Sequence, residues 1–216
     1  MKVILLRVYL TVFFGITTAV LQCSTAVAVS GPSVTTSSYS PPISGTELDK
    51  YTSYPKRRLV IETKQGRIEC QLFEKLAPKH VAHFSALASS HFFDSTTFHR
   101  IMPGYMIQGG DPNSKDDDLS NDGYGQPGME TVPAEFSSLH HDRGIISTAR
   151  KPDDENSATS QFFIMVDDRH SFDKHYTIWG QVMDGMDVVD KIVHLPKVQG
   201  DNPGKASQIL RMYVQD

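Results

Sequence analysis

The sequence predicts a mainly β domain, a sandwich or a closed barrel, preceded by a leader and a linker. Three observations lead there. From residue 58 onward, short apolar or alternating runs recur at strand length. Gly, Pro, Asn and Asp punctuate them as turn formers. Only two stretches repeat apolar residues at helical spacing. The chain has 216 residues, enough for one domain of ordinary size plus a leader, and its 39% hydrophobic and 21% charged residues suit a soluble core-forming protein. A formal net charge of −4 gives no overall attraction for nucleic acid or an anionic membrane.

The first 28 residues read as a secretory signal. Lys2 and Arg7 make a positive start, residues 8–21 are apolar and uncharged, and Ala26-Val27-Ala28 offers the small residues of a cleavage site. The apolar run is shorter than the roughly 20 residues a bilayer-spanning helix needs, so no stable span is expected after cleavage. An uncleaved leader would tether the domain to the membrane. Lipidation at Cys23 is disfavoured by Gln22, which stands where a small residue is wanted. Residues 29–57 are rich in Ser, Thr, Pro and Gly and read as a flexible linker. The expected location is periplasmic or secreted.

The folded domain is expected over 58–216. Residues 59–63 and 67–73 form strands around a Lys64-Gln65-Gly66 turn. Residues 78–90 read as a helix, with Pro78 near its start and Val81, Phe84, Leu87 and Ala88 on one face. Strands follow at 97–101, 106–109, 144–148, 161–166 and 178–182, then a second helix at 186–192 and a last strand at 209–214. Cys70 falls in a strand, and no disulfide with Cys23 is expected.

Four segments carry a resemblance. They are FHRIMPGYMIQGGD (98–111), GIISTA (144–149), SQFFI (160–164) and FDKHYTIWG (172–180). Together and in this order, from about residue 58 to the C-terminus, they closely resemble the cyclophilins, and the loop at 112–128 looks like the bacterial branch. The resemblance implies an eight-stranded antiparallel closed barrel capped by two helices. It also implies peptidyl-prolyl cis–trans isomerase activity.

That chemistry breaks no bond. Amide resonance sets a barrier of roughly 18–20 kcal/mol, and a catalyst must favour the twisted amide over the planar one. A fixed guanidinium near the prolyl nitrogen would do so, because twisting localises the nitrogen lone pair. By resemblance, Arg100 is the catalytic arginine, and Gln108 orients it and contacts substrate backbone. Met106, Phe163 and Phe172 match the walls of the proline pocket. Tyr105 stands where phenylalanine is usual, and Tyr176 where the well-studied eukaryotic members have histidine. Ala149 and Gln161 match the groove for the flanking peptide. Ser171 replaces a tryptophan that helps hold cyclosporin, so weak cyclosporin binding is expected. His99 is read as structural, facing away from Arg100. Gly109-Gly110 either permits a close backbone approach or belongs to an ordinary loop.

Other chemistries lack their motifs. Asp116-Asp117-Asp118 with Asn121 and Asp122 does not match an EF-hand loop. His140, His141, His170 and His175 have no metal-ligand spacing such as HExxH, and no metal is expected. There is no GxSxG elbow and no phosphate-binding GxxxxGK[ST]. The expectation is a cofactor-free, monomeric isomerase acting on proline-containing polypeptides and assisting the folding of exported proteins. The rival is a module that binds such chains without turnover.

Overall fold

A computed structural model describes residues 39–215. The signal-peptide reading and the first part of the linker lie outside them. Eight strands form one sheet in the order β3-β4-β6-β5-β7-β2-β1-β8, with every neighbouring pair antiparallel. In chain order these are β1 Arg58–Thr63, β2 Gly66–Leu72, β3 Arg100–Met102, β4 Met106–Gly109, β5 Ile145–Thr148, β6 Phe162–Met165, β7 Ile178–Asp184 and β8 Ile209–Gln215. The first hairpin turns through Lys64 and Gln65, where the Thr63 hydroxyl donates to the Gly66 carbonyl at 2.8 Å.

The sheet curls, aided by register shifts beside Glu62, Glu69 and Ile146. It is not fully closed. Its edge strands β3 and β8 share no ladder, and only an isolated bridge from Thr97 to Gln208 crosses near the seam. The expected closed barrel is therefore a curled half-barrel. Residues 97–99, read as part of a strand, lie outside β3 for the same reason.

Two helices cover the sheet, as expected, and a one-turn helix α1 (Gly45–Leu48) precedes them. Helix α2 (Pro78–Ser89) buries His80, Val81, Phe84, Ser85 and Ala88, and Phe84 stacks on Trp179 at 4.4 Å. Ala77 at its N-cap has no side-chain acceptor to offer. Glu135, from a distant loop, accepts from the backbone N–H of Lys79 and of His80 at 3.1 and 3.0 Å instead. Helix α3 (Met186–Val193) follows Gly185, whose φ of +93° suits glycine. Val188, Val189, Ile192 and Val193 form its buried face.

The period-2 alternation of strands divides the apolar residues into two bodies. One row across the sheet, Ile101, Ile107, Ile164 and Ile146, is wholly buried in the interior core with Phe84, Phe162 and Trp179. A second cluster contains Phe73, Met106, Ile145, Phe163, Met165 and Ile178. Residues 39–57 depart from the composition-based reading of a linker by docking here. Ile43 and Leu48 are buried in this second cluster, and Tyr51 packs against it. The buried Gln181 amide grips the segment, donating to the Ile43 carbonyl at 2.6 Å and accepting from its N–H at 3.0 Å. The Tyr39 hydroxyl donates to the Val182 carbonyl at 2.9 Å. Scattered apolar residues suffice for docking because the sheet offers a ready apolar surface.

No helix among the described residues is long and apolar enough to cross a membrane. Cys70 is a free and fully buried thiol.

Candidate active site

Strand register places the site. Arg100 opposes Gln108, Gln108 opposes Phe163, and Phe163 opposes Ser147, so these four make a row across β3, β4, β6 and β5. Each is one residue from the interior isoleucine row and so faces the other side of the sheet. Met106 shares that outer face, two residues from Gln108. The sequence pattern that fills the core thus also puts guanidinium, amide and apolar surface on one face.

Arg100 is exposed, and no carboxylate among the described residues forms a salt bridge with it. Gln108 is half-buried and fixed: its Nε2 donates to Gln161 Oε1 at 2.9 Å. Gln161 Nε2 in turn donates to the Gly123 carbonyl at 3.0 Å and reaches Asp111 Oδ2 at 3.4 Å. A cavity of about 770 Å³ is lined by Gln108, Ala149, Gln161, Tyr124, Met129 and Arg150, among others. A smaller one of about 340 Å³ lies beside Arg100, Gln108, Tyr124 and Asn202. The two share Gln108, so a chain crossing from one to the other passes the Arg100–Gln108 pair.

The apolar residues assemble separately. Tyr105 meets Phe172 at 5.4 Å, Phe172 meets Tyr176 at 4.9 Å, and Phe163 meets both Phe172 and Tyr176, at 5.8 and 5.3 Å. Met106 and Phe163 are nearly covered, at 4% and 2% exposure, and act as floor. Tyr105, Phe172 and Tyr176 are half-exposed and form the rim. Ala149 packs against this cluster and also lines the larger cavity, joining the two parts.

Several contributors were not singled out from sequence. The buried carboxylate of Asp111 accepts from the N–H groups of Asn113, Gly123 and Gly125 at 3.0, 2.5 and 3.0 Å, and so shapes the loop that walls the groove. Arg150 and Arg169 lie over Tyr176 and Tyr105, at 5.2 and 4.7 Å from the ring centroids. Asp173 Oδ1 accepts from the His141 backbone N–H at 2.8 Å and pairs with its Nδ1 at 3.0 Å, while His141 Nε2 meets Ser147 Oγ at 3.0 Å. This chain ties the segment carrying Phe172 and Tyr176 to β5. Burial, partly offset by Asp173, holds the His141 pKa below its ordinary value. Apart from Asp111 and Asn113, two positions apart, these pairs have no sequence signature, because their members lie 6 to 64 positions apart.

His99 is 5% exposed and contributes to the wall of the smaller cavity. Desolvation pushes its pKa down to about 4, with Asp111 opposing, so it is neutral at physiological pH. Gly109 and Gly110 are close-approach glycines. A Cβ on Gly109 would lie 2.9 Å from the Thr97 carbonyl oxygen, and one on Gly110, where φ is +85°, 2.5 Å from that of Ser160. Ser171 is exposed on the rim segment.

Comparison with known proteins shows the family. Residues 58–214 match the family described as cyclophilin type peptidyl-prolyl cis–trans isomerase/CLD. A probable peptidyl-prolyl cis–trans isomerase of Brucella suis is 39% identical over 142 residues, covering 64% of this chain and 72% of the relative. Peptidyl-prolyl cis–trans isomerase B of Saccharomyces cerevisiae is 38% identical over 160 residues, covering 69% and 73%. A crystal structure of a Cryptosporidium parvum cyclophilin in the presence of the dipeptide Ala-Pro superposes with a TM-score of 0.64 at 28% identity, covering 74% of this chain and 99% of that one. The chain belongs to the cyclophilin-type peptidyl-prolyl cis–trans isomerases.

Proposed function

We propose that this isomerase turns X–Pro bonds in extended segments of exported polypeptides, with Arg100 as its electrostatic catalyst. The observation that carries the reading is the exposed Arg100 guanidinium, free of any carboxylate salt bridge among the described residues, beside a Gln108 amide held by Gln161. A guanidinium paired to a carboxylate would have its field largely neutralised. This one is available to the prolyl nitrogen as its lone pair localises in the twisted state. The proline ring lies against Phe172, Tyr105 and Tyr176 over the floor of Met106 and Phe163. Gln108 and Gln161 receive the flanking backbone, and Ala149 leaves room for it. The Ala-Pro dipeptide in the Cryptosporidium parvum structure supports a proline-containing ligand.

Export rests on the leader of residues 1–28. Proline isomerisation is slow, taking tens of seconds uncatalysed, so it limits folding wherever exported chains fold. The corresponding location is the periplasm or the exterior. Ser171 leaves cyclosporin without a tryptophan partner, and binding is expected to be weak.

A protease-coupled assay of cis-to-trans conversion in a short X–Pro peptide tests the catalytic part. Arg100→Ala is expected to lower kcat/KM by about 10²–10³-fold, the usual effect of removing one preorganised donor. An unchanged rate in a folded Arg100→Ala protein would remove Arg100 from the mechanism. N-terminal sequencing of the chain recovered outside the cytoplasm tests the leader, with Val29 as the expected first residue.

A further inference from the structure

His140 lies 33 positions before Asp173, which shares one short turn with His170, and the fold brings the three together at the rim of the aromatic cluster. One nitrogen of each imidazole and one carboxylate oxygen all lie within 4.8 Å of one another. The two rings sit side by side, centroids 4.5 Å apart and tilted by 30°. Asp173 is already oriented. Its Oδ1 is taken by the backbone and ring of His141, which leaves Oδ2 turned toward His140, 2.6 Å from Nδ1. His170 is oriented too, with Nε2 2.9 Å from Asp142 Oδ1. Carboxylate partners of this kind fix the rings of metal-bound histidines.

The surroundings are acidic. A cavity of about 570 Å³ touching His170 is lined by Asp142, Asp168, Asp187 and Asp190, against the single cation Arg143. Arg143 is itself engaged by Asp190 through both terminal nitrogens, at 2.9 and 2.8 Å. The local field therefore favours a cation. Two imidazoles and a carboxylate select a borderline transition ion over calcium or magnesium, which prefer all-oxygen sets.

We propose that His140, His170 and Asp173 form a binding site for a divalent transition-metal ion such as zinc. A tetrahedral zinc with bonds of about 2.1 Å holds its ligands roughly 3.4 Å apart. From a spread of 4.8 Å the widest pair needs a closure of up to about 1.4 Å, and the close His140–Asp173 pair a small opening, within reach of two exposed histidines. Zinc would displace the proton between His140 and Asp173, and water would complete its coordination.

The test is calorimetric titration of the full chain with zinc alone, buffered near pH 8, above the ordinary histidine pKa of about 6.5. One saturating equivalent is expected. His140→Ala and His170→Ala should each weaken it at least about tenfold, and the double variant should abolish it. Both side chains are exposed, at 61% and 58%, so the variants should fold, which Trp179 fluorescence verifies. His91→Ala removes an exposed histidine paired with Asp94 but lacking a second imidazole, and should leave binding unchanged. Cobalt(II) in place of zinc gives an independent readout, a visible absorption band lost in the double variant. Absence of saturable zinc binding up to about millimolar concentration, or binding that survives the double variant, overturns the site.

Discussion

Leu48→Ala measures how firmly the segment before the family domain is built into the protein. Leu48 is 5% exposed and shares a cluster with Met106 and Phe163, the floor of the site. The substitution removes three buried carbons. At about 0.8 kcal/mol each this gives about 2.4 kcal/mol, and the cavity left behind raises it to about 3–4 kcal/mol. There is a ceiling. Residues 39–57 can release as a unit, and then the loss cannot exceed their whole docking free energy. A second chain starting at Arg58 measures that ceiling. The assay is urea unfolding followed by Trp179, which is the only tryptophan, fully buried and stacked on Phe84. With a slope of about 3 kcal/mol per molar, the Leu48→Ala midpoint should fall by about 1 M. Equal losses in the variant and the shortened chain would mean that one side-chain truncation frees the segment. The reasoning is refuted if both midpoints stay within about 0.2 M of the wild type.

Gly110→Ala places a methyl against the Ser160 carbonyl and the Phe162 ring at a φ of +85°, and should cost about 3 kcal/mol, read as a lowered urea midpoint. Acid should act through His99. Its folded pKa of about 4 lies below the ordinary 6.5, so the unfolded chain binds the proton first. Stability is unaffected above about pH 7, falls as pH drops from about 6.5 to 4, and levels off below, for a total of about 3 kcal/mol. His99→Gln should reduce the slope in that window in a pH series of urea midpoints, the buried His80 and His141, also held below the ordinary value, keeping a part of it; an identical slope in both proteins would exclude His99 as a source.

The fold was legible where one periodicity dominated. The strands at 106–109 and 178–182 and both main helices fell within two residues of their expected ends, because alternation or helical spacing is unbroken there. The edge failed. Thr97 and Phe98 look like strand residues, yet the Thr97 N–H donates to the Ser114 hydroxyl, Phe98 bonds to Ser207 in the turn before β8, and neither makes a ladder. The docked segment failed for a related reason: Ser, Thr and Pro are frequent in its composition, while Ile43 and Leu48 are its buried apolar residues. At the candidate site, motif order pointed to residues that the strands bring together on one face. The supports remained hidden because Asp111 works through backbone N–H groups and Asp173 through a histidine 32 positions away.

The two rows across the sheet carry a consequence for how the enzyme is maintained. Gln108 and Ile107 are neighbours on β4, one in the row of Arg100 and Phe163 and one in the core row. A slip of β4 by a single residue would bury the amide and expose the isoleucine. A misregistered molecule would then be inactive and poorly packed at once, open to proteolysis rather than persisting as a stable, idle competitor for substrate. Quality control of the site is in this sense delegated to hydrophobic burial, and a loss of activity by misfolding should always be accompanied by a loss of stability.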